Sequence, residues 1–238
     1  MPVTKTDNVI GLLDGDIVAV RSAAIFDAKD GHEEDLLYAI VRKTVRDWTI
    51  AAYADDLRIC MSLGKSFRYE AYPQYKSNRK APKPRGTDEA KQYLRDNYAC
   101  LEYDTLEADD VMGILATEPD VPQTRIIVST DKDMLQIPAW QVNPDKDRFP
   151  HKPTQEEADR MFYYQWVCGD PGDGYPGIPK FGESRFNKWC GSLEEPHSGL
   201  VYTLYQEHDL NLDYTMSQLV CAKILQWEDR PSNWGISL

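Results

Sequence analysis

The first apolar run, VIGLLD from Val9 to Asp14, is short and ends in a carboxylate, the pattern of a buried strand. From about Glu33 to Tyr53, apolar side chains recur at Leu36, Leu37, Ile40, Val41, Val45, Trp48 and Ile50, close to helical spacing. Further strands are predicted over Leu57–Ser62 and over the β-branched stretch Thr124–Thr130. A polar helix is expected from Thr87 to about Tyr98, with Thr87 as its N-cap, and another over Glu107–Thr117. DKDMLQI, directly after the third strand, opens a short helix. Strands alternating with helices predict an α/β domain with a central, mostly parallel sheet. Beyond about Pro153 the pattern becomes all-helical, with segments at Thr154–Cys168, Phe181–Cys190, Ser198–Glu207 and Thr215–Trp227 around the loop GDPGDGYPGIPKFG. The expected division is therefore 1–153 and 154–238.

Composition narrows the class only a little. A chain of 238 residues can bury a core for one large domain, or for one domain and a smaller companion. Charged residues at 28% and apolar ones at 42% fit a cytoplasmic protein. No stretch approaches the ~20 apolar residues that span a bilayer. The opening MPVTKTDNVI lacks a basic segment followed by a long apolar one, so no secretory signal is expected. Cys60, Cys100, Cys168, Cys190 and Cys221 are odd in number and scattered, which predicts reduced thiols. A net charge of −12 argues against a nucleic-acid binder until its distribution is considered. Between Lys65 and Gly86 seven basic residues (Lys65, Arg68, Lys76, Arg79, Lys80, Lys83, Arg85) face one acid, Glu70.

The acids gather in short motifs. Asp14 ends the first predicted strand, and Asp131 and Asp133 directly follow the third. In open parallel sheets ligands bind outside the carboxyl ends of the strands. Glu107 and Asp110 are three apart and share a helix face, with Asp109 beside them, while Asp170 and Asp173 lie in the glycine-rich loop. Each motif has a bland reading. LEADD can be a solvated helix start, STDKD a helix cap, LDGD a turn with Asp16 as cap or surface residue, and the glycine-rich loop a tight turn. Their order and strand-end placement favour the functional reading. Clustered carboxylates repel unless cations offset them. Hard oxygen donors without His or Cys select magnesium or manganese over zinc. Two such ions about 4 Å apart suit phosphodiester hydrolysis.

The stretch YPQYKSNRKAPKPRG mixes Tyr72 and Tyr75 with Lys76, Arg79 and Lys80, and its three prolines in 72–86 preclude one uninterrupted helix. A solvated loop is the plain alternative. Interleaved aromatics and cations suit single-stranded DNA, with Lys76 first and Arg79 second as groups neutralising the scissile phosphate.

Taken together, LDGD with the following SAAIFDA, FRYEAYPQYKSNRKAPKP, LEADDVMGILA, STDKDMLQIP and GDPGDGYPGIPKFG resemble the 5′-nuclease superfamily of flap endonucleases and polymerase-associated 5′–3′ exonucleases. The resemblance is nearest to the gene-6-type exonucleases of short-tailed phages and runs from Asp14 to about Gly182. It implies a PIN-like α/β nuclease domain with a basic arch over about 65–95, joined to a helical part with a helix–three-turn–helix DNA-binding motif. It implies that Asp14, Glu107, Asp109, Asp110, Asp131, Asp133, Asp170 and Asp173 hold two Mg2+ (or Mn2+) ions. Lys76 and Arg79 would belong to the arch. Gly174 and Gly177 would let the backbone approach duplex phosphates, with a potassium ion at the loop. Arg21, Arg68, Tyr75, Lys80, Lys83, Arg85 and Lys180 complete the expected DNA contacts. Ser62 stands where the family usually has an aspartate, so one outer-sphere carboxylate is expected to be lost, leaving eight for two ions.

The implied activity is 5′–3′ exonuclease and flap endonuclease cleavage of DNA by a monomer, with RNA in RNA–DNA hybrids as a second substrate. A PIN-type ribonuclease would not need the glycine-rich loop. A binding protein that had lost catalysis would show replaced carboxylates, and only position 62 departs. A magnesium-dependent phosphatase of small molecules leaves the basic aromatic arm unexplained.

Overall fold

The computed structural model describes residues 8–29, 34–193 and 196–230. The opening Met1–Asp7, on which the absence of a signal was argued, and Glu33 lie outside them. The elements in chain order are β1 (Val9–Asp14), α1 (Gly15–Ala28), α2 (Glu34–Ala51), β2 (Asp56–Leu63), α3 (Arg68–Ala71), α4 (Thr87–Asn97) and β3 (Cys100–Asp104). They continue with α5 (Ala108–Ala116), β4 (Thr124–Val128), β5 (Trp140–Val142), α6 (Gln155–Cys168), α7 (Glu183–Cys190), α8 (Ser198–Glu207) and α9 (Leu212–Ala222). Single 3-10 turns occupy Lys132–Gln136 and Trp227–Asp229. Among the described residues no helix is long and apolar enough to cross a membrane, and all five cysteines are free thiols.

Two compact units emerge. The first contains the chain up to Lys65, Pro82–Pro153 and the segment from Ile224 onward. Its five strands run in the order β3-β2-β1-β4-β5, and every pairing is parallel. Every residue of β1 is buried, as expected for a strand covered on both faces, which is why its sequence is a continuous apolar run. The chain order reverses between β1 and β4, the kind of switch point beyond whose strand ends open parallel sheets bind ligands. Asp14 sits opposite Cys60 in β2, which runs on to Leu63, and Leu13 opposite Val128 in β4, so β1 and β4 end nearly level. On α2, Leu37, Val41, Val45 and Trp48 turn into the core with Leu13, Ile59 and Val128, whereas Leu36 and Ile50 of the predicted stripe are exposed. Each such fully buried side chain stabilises the fold by about 1.5–3 kcal/mol.

The second unit joins Ser66–Ala81 to Thr154–Lys223. Trp166, Tyr205, Phe186, Val201 and Tyr75 form its core. Thr154 and Glu157 close a reciprocal capping box at the start of α6. These units divide the chain differently from a single boundary at 153. Segment 66–81, expected with the α/β domain, joins the helices because Tyr75 and Arg68 are buried, the guanidinium of Arg68 donating to the Lys223 carbonyl at 2.6 Å. The segment from Ile224 belongs to the sheet unit. Its amides donate to Gln136 Oε1 from Ile224 (3.3 Å), to Asp110 Oδ1 from Leu225 (3.1 Å) and to Thr117 Oγ1 from Trp227 (2.8 Å).

Local differences have local causes. Gly86, with φ +89°, precedes α4 as its N-cap, and Thr87 instead donates its hydroxyl to the Pro84 carbonyl at 2.6 Å. Helix α9 starts early because Asn211 accepts from the Tyr214 amide at 2.9 Å, and it stops at Ala222 rather than Trp227. Strands β3 and β5 were not expected: the first carries Glu102 and Asp104, and the second is three residues long.

Candidate active site

The C-terminal edge of the sheet brings Asp14, Ser129, Asp131 and Asp133 into one hydrogen-bonded chain. Asp14 caps α1, its Oδ1 accepting from the Ile17 amide at 3.0 Å, and its Oδ2 accepts from the Ser129 hydroxyl at 2.9 Å. Ser129 Oγ accepts in turn from the Asp131 amide at 3.1 Å, and Asp131 Oδ1 from the Asp133 amide at 2.9 Å. Asp14 is 2% exposed. Burial chiefly, with the charges of Asp16 and Asp131, pushes its carboxyl up to about 7, against the pull of the Ile17 amide and the Ser129 hydroxyl. A carboxylate so placed becomes comfortable as an anion only with a cation beside it.

Helix α5 starts in the same unit. Asp110 is wholly buried and accepts from the amides of Glu107 at 3.2 Å and Leu225 at 3.1 Å, so it holds the start of the helix and the returning segment. Glu107 and Asp109 are half-buried. Asp16, read from the sequence as a cap or surface residue, is instead partly buried. Its Oδ1 accepts from Lys91 Nζ at 2.6 Å, and its Oδ2 from the Ser62 hydroxyl and amide. Ser62 Oγ also accepts from the Ala108 amide at 3.0 Å and so ties β2 to the first turn of α5.

All donors at this edge are carboxylate or hydroxyl oxygens, which suits magnesium or manganese. Among the described residues no three Asp, Glu, His or Cys side chains are drawn together tightly enough to cage an ion. Magnesium needs no such cage, since it keeps several waters and takes one or two carboxylates. The donor set and the raised Asp14 carboxyl fit such an ion.

Arg21 pairs with Asp145, and Arg85 with Asp27 at 3.3 Å while lying over the Phe26 ring. Lys83 is exposed, 4.0 Å from Asp88. Within the second unit Asp173 gathers the arm. It accepts from the Tyr75 hydroxyl at 2.8 Å, pairs with Lys76 Nζ at 3.6 Å and with the Arg79 guanidinium, and its carbonyl accepts from the Lys76 amide at 2.7 Å. Asp170 braces the loop by accepting from the amides of Gly172 and Asp173.

Four expected DNA contacts need correction. Tyr75 is 2% exposed, so its ring packs in a core rather than on a base. Arg68 is equally buried and holds the Lys223 carbonyl. The Gly177 amide donates to Gln218 Oε1 at 2.9 Å and the Gly174 amide to the Asp170 carbonyl at 2.8 Å, so both are spent inside the unit. Lys80 and Lys180 are exposed.

Residues 9–159 match the family model of the 5′-3′ exonuclease, N-terminal resolvase-like domain. The chain belongs to this family.

Among exonuclease relatives, the exodeoxyribonuclease of Enterobacteria phage T3 is 38% identical over 117 residues, covering 47% of this chain and 39% of that protein. DNA polymerase I of Mycobacterium bovis is 31% identical over 213 residues, 76% of this chain and 23% of that protein. The chain thus spans less than half the length of these relatives. By structure it resembles the T5 D15 protein co-crystallised with metal ions, at a TM-score of 0.65 and 17% identity over 91% of this chain and 89% of that one. The T5 D15 flap endonuclease pseudo-enzyme-product complex with DNA and metal ions aligns at 0.58 and 16% identity over 91% and 89%. These likenesses show the exonuclease fold.

Sequence reasoning on this family member missed Ser129, which lies inside the STDKD segment but carries no charge to mark it. It also missed Lys91, one lysine in a polar helix with no local signal of its partner.

Proposed function

We propose that the chain is a divalent-metal-dependent 5′–3′ exodeoxyribonuclease with flap endonuclease-type activity. The observation that carries this reading is the linked set Asp14–Ser129–Asp131–Asp133 at the switch point of a parallel sheet, in a chain of the 5′–3′ exonuclease family. Asp14, Asp131, Asp133, Glu107 and Asp109 would hold magnesium or manganese ions, two in the proposed mechanism; Asp170 and Asp173, in the second unit, are separately proposed as metal donors. Ions of that kind supply an activated water and charge stabilisation on both sides of the scissile phosphorus. Asp110 acts by fixing the start of α5. Ser129 orients Asp14 and the Asp131 backbone together.

Lys76 and Arg79 are the groups proposed to neutralise the phosphate, and their pairing with Asp173 keeps both cations oriented until a phosphate competes for them. The α6–loop–α7 segment is proposed as the helix–three-turn–helix that holds duplex DNA, with Lys180 as an exposed cation. The similarly folded T5 flap endonuclease, captured with DNA and metal ions, supports DNA as substrate. A potassium ion at this loop would take backbone carbonyls such as those of Val167, Tyr175 and Gly177, each of which keeps a second lone pair beside the hydrogen bond it accepts.

The test is cleavage of 5′- and 3′-labelled duplexes, with and without a 5′ flap, in magnesium and in EDTA. An RNA strand annealed to DNA forms a second arm. Magnesium-dependent attack from the 5′ side, lost in Asp131→Asn/Asp133→Asn protein, is expected. DNA binding without cleavage would overturn the reading in favour of a binding protein.

A further inference from the structure

One cationic position beside the carboxylates is filled by the protein itself. Lys91 on α4 places Nζ 2.6 Å from Asp16 Oδ1, while the Ser62 amide donates to Oδ2 at 3.3 Å. The Ser62 hydroxyl donates to the same Oδ2, and its oxygen is fixed from behind by the Ala108 amide. The two charged side chains are only 18% and 26% exposed, so this is not a loosely held surface pair. Asp16 is two residues from Asp14, and its charge acts on that carboxyl, so whatever neutralises Asp16 is felt across the pocket.

We propose that Lys91 is a built-in counter-cation of the carboxylate pocket, seated on Asp16 with the help of Ser62, and that it competes with a divalent ion for that carboxylate. The inference rests on the metal-dependent reading above and adds an asymmetry to it. An ion near Asp14 meets a buried carboxyl already burdened by the charges of Asp16 and Asp131. An ion on the Asp16 side must first displace an ammonium group, and therefore binds more weakly there. In these terms the serine at position 62 does not leave a gap: it donates to a carboxylate that arrives from α1, and Lys91 supplies that carboxylate's counter-charge. Lys91 and Ser62 act through Asp16 and are positioning residues.

Isothermal titration of the full chain with MnCl2 at low ionic strength tests this without any substrate. Lys91→Met keeps the length of the side chain and removes its charge, so it should tighten manganese binding about tenfold, the effect of one nearby charge on a divalent ion. Lys91→Arg, which keeps the charge, should stay within about twofold of the unsubstituted chain. In Lys91→Met/Asp16→Asn the gain should vanish. Unchanged or weaker binding by a folded Lys91→Met protein would overturn the proposal, as would a gain that survives loss of Asp16. If the unsubstituted chain takes up no manganese, the metal-dependent reading falls and this inference with it. If it binds manganese and Lys91→Met does not alter the affinity, only this inference falls.

Discussion

Replacing Asp14 with asparagine should stabilise the metal-free protein while destroying its proposed activity. In the unfolded chain an aspartate titrates at about 3.9, whereas in the fold Asp14 is pushed up to about 7. Below about pH 4 both states hold the proton and the folded state carries no penalty. Between about pH 4 and 7 the folded state keeps a proton that the unfolded chain has released, so stability falls as pH rises, by about 1.4 kcal/mol per unit. Over some three units the loss approaches about 4 kcal/mol, and it is complete above the folded-state value. Asparagine carries no charge to desolvate. Its Oδ1 can still accept from the Ile17 amide, and the Ser129 hydroxyl can rotate to meet its NH2 group. Urea unfolding in EDTA at pH 5, 6, 7 and 8, followed by tryptophan fluorescence, gives the comparison. The difference between the Asp14→Asn variant and the parent should grow with pH to about 4 kcal/mol at pH 8. Magnesium should then narrow the gap to roughly 1 kcal/mol, since an ion at about 100 times its Kd returns about 2.7 kcal/mol to the parent alone. Parallel pH profiles for the two proteins would refute the claim that Asp14 is a desolvated carboxyl awaiting a cation.

Other substitutions probe the second unit. Gly177 has φ +58°, and a Cβ there would lie 2.4 Å from the Gly169 nitrogen and 2.5 Å from the Val167 carbonyl oxygen. Gly177→Ala should therefore cost about 3 kcal/mol in a denaturant melt, and an unshifted midpoint would contradict the crowding. Tyr75→Phe removes one hydrogen bond to Asp173 but leaves Lys76 and Arg79 on it, for a loss of about 1 kcal/mol, whereas Tyr75→Ala empties a buried site and should cost about 3–5 kcal/mol. If Tyr75 were a DNA-stacking residue, Tyr75→Ala would instead weaken oligonucleotide binding at unchanged stability, while Tyr75→Phe, which keeps the ring, would leave binding intact. Lys76→Met should lower the single-turnover cleavage rate about a hundredfold with little change in DNA affinity, and a change confined to affinity would make Lys76 a binding group only.

The sheet was legible where burial is symmetrical. VIGLLD and TRIIVST announce themselves because parallel strands covered on both faces are apolar throughout, and the carboxylates that follow them inherit strand-end positions. Strand β3 was hidden because its residues are only partly buried and include Glu102 and Asp104. Helix α1 shows no clear amphipathic stripe: its buried set, Val18, Ala19, Ser22, Ala23 and Phe26, is built largely of small residues. At the site, residues carrying charge at motif positions were visible one by one, but their pairings were not. Nothing local links Lys91 to Asp16 across 75 residues, or Asp173 to Arg79 across 94. Tyr75 and Arg68 illustrate the opposite error: an aromatic and a cation in a basic stretch look solvent-facing, yet tertiary packing buries both.

The segment from Ile224 also imposes an order in time. The sheet unit is interrupted by Thr154–Lys223, so a ribosome delivers all of that stretch before the amides of Ile224, Leu225 and Trp227 reach Gln136, Asp110 and Thr117. Until then the carboxylate of Asp110 lacks the Leu225 amide as a donor, and helix α5, which carries the motif carboxylates, has an open flank. The last-made described residues thus act as a clasp on the helix that bears the acidic motif, and a nascent chain bearing every motif from Asp14 to Gly182 still lacks that clasp.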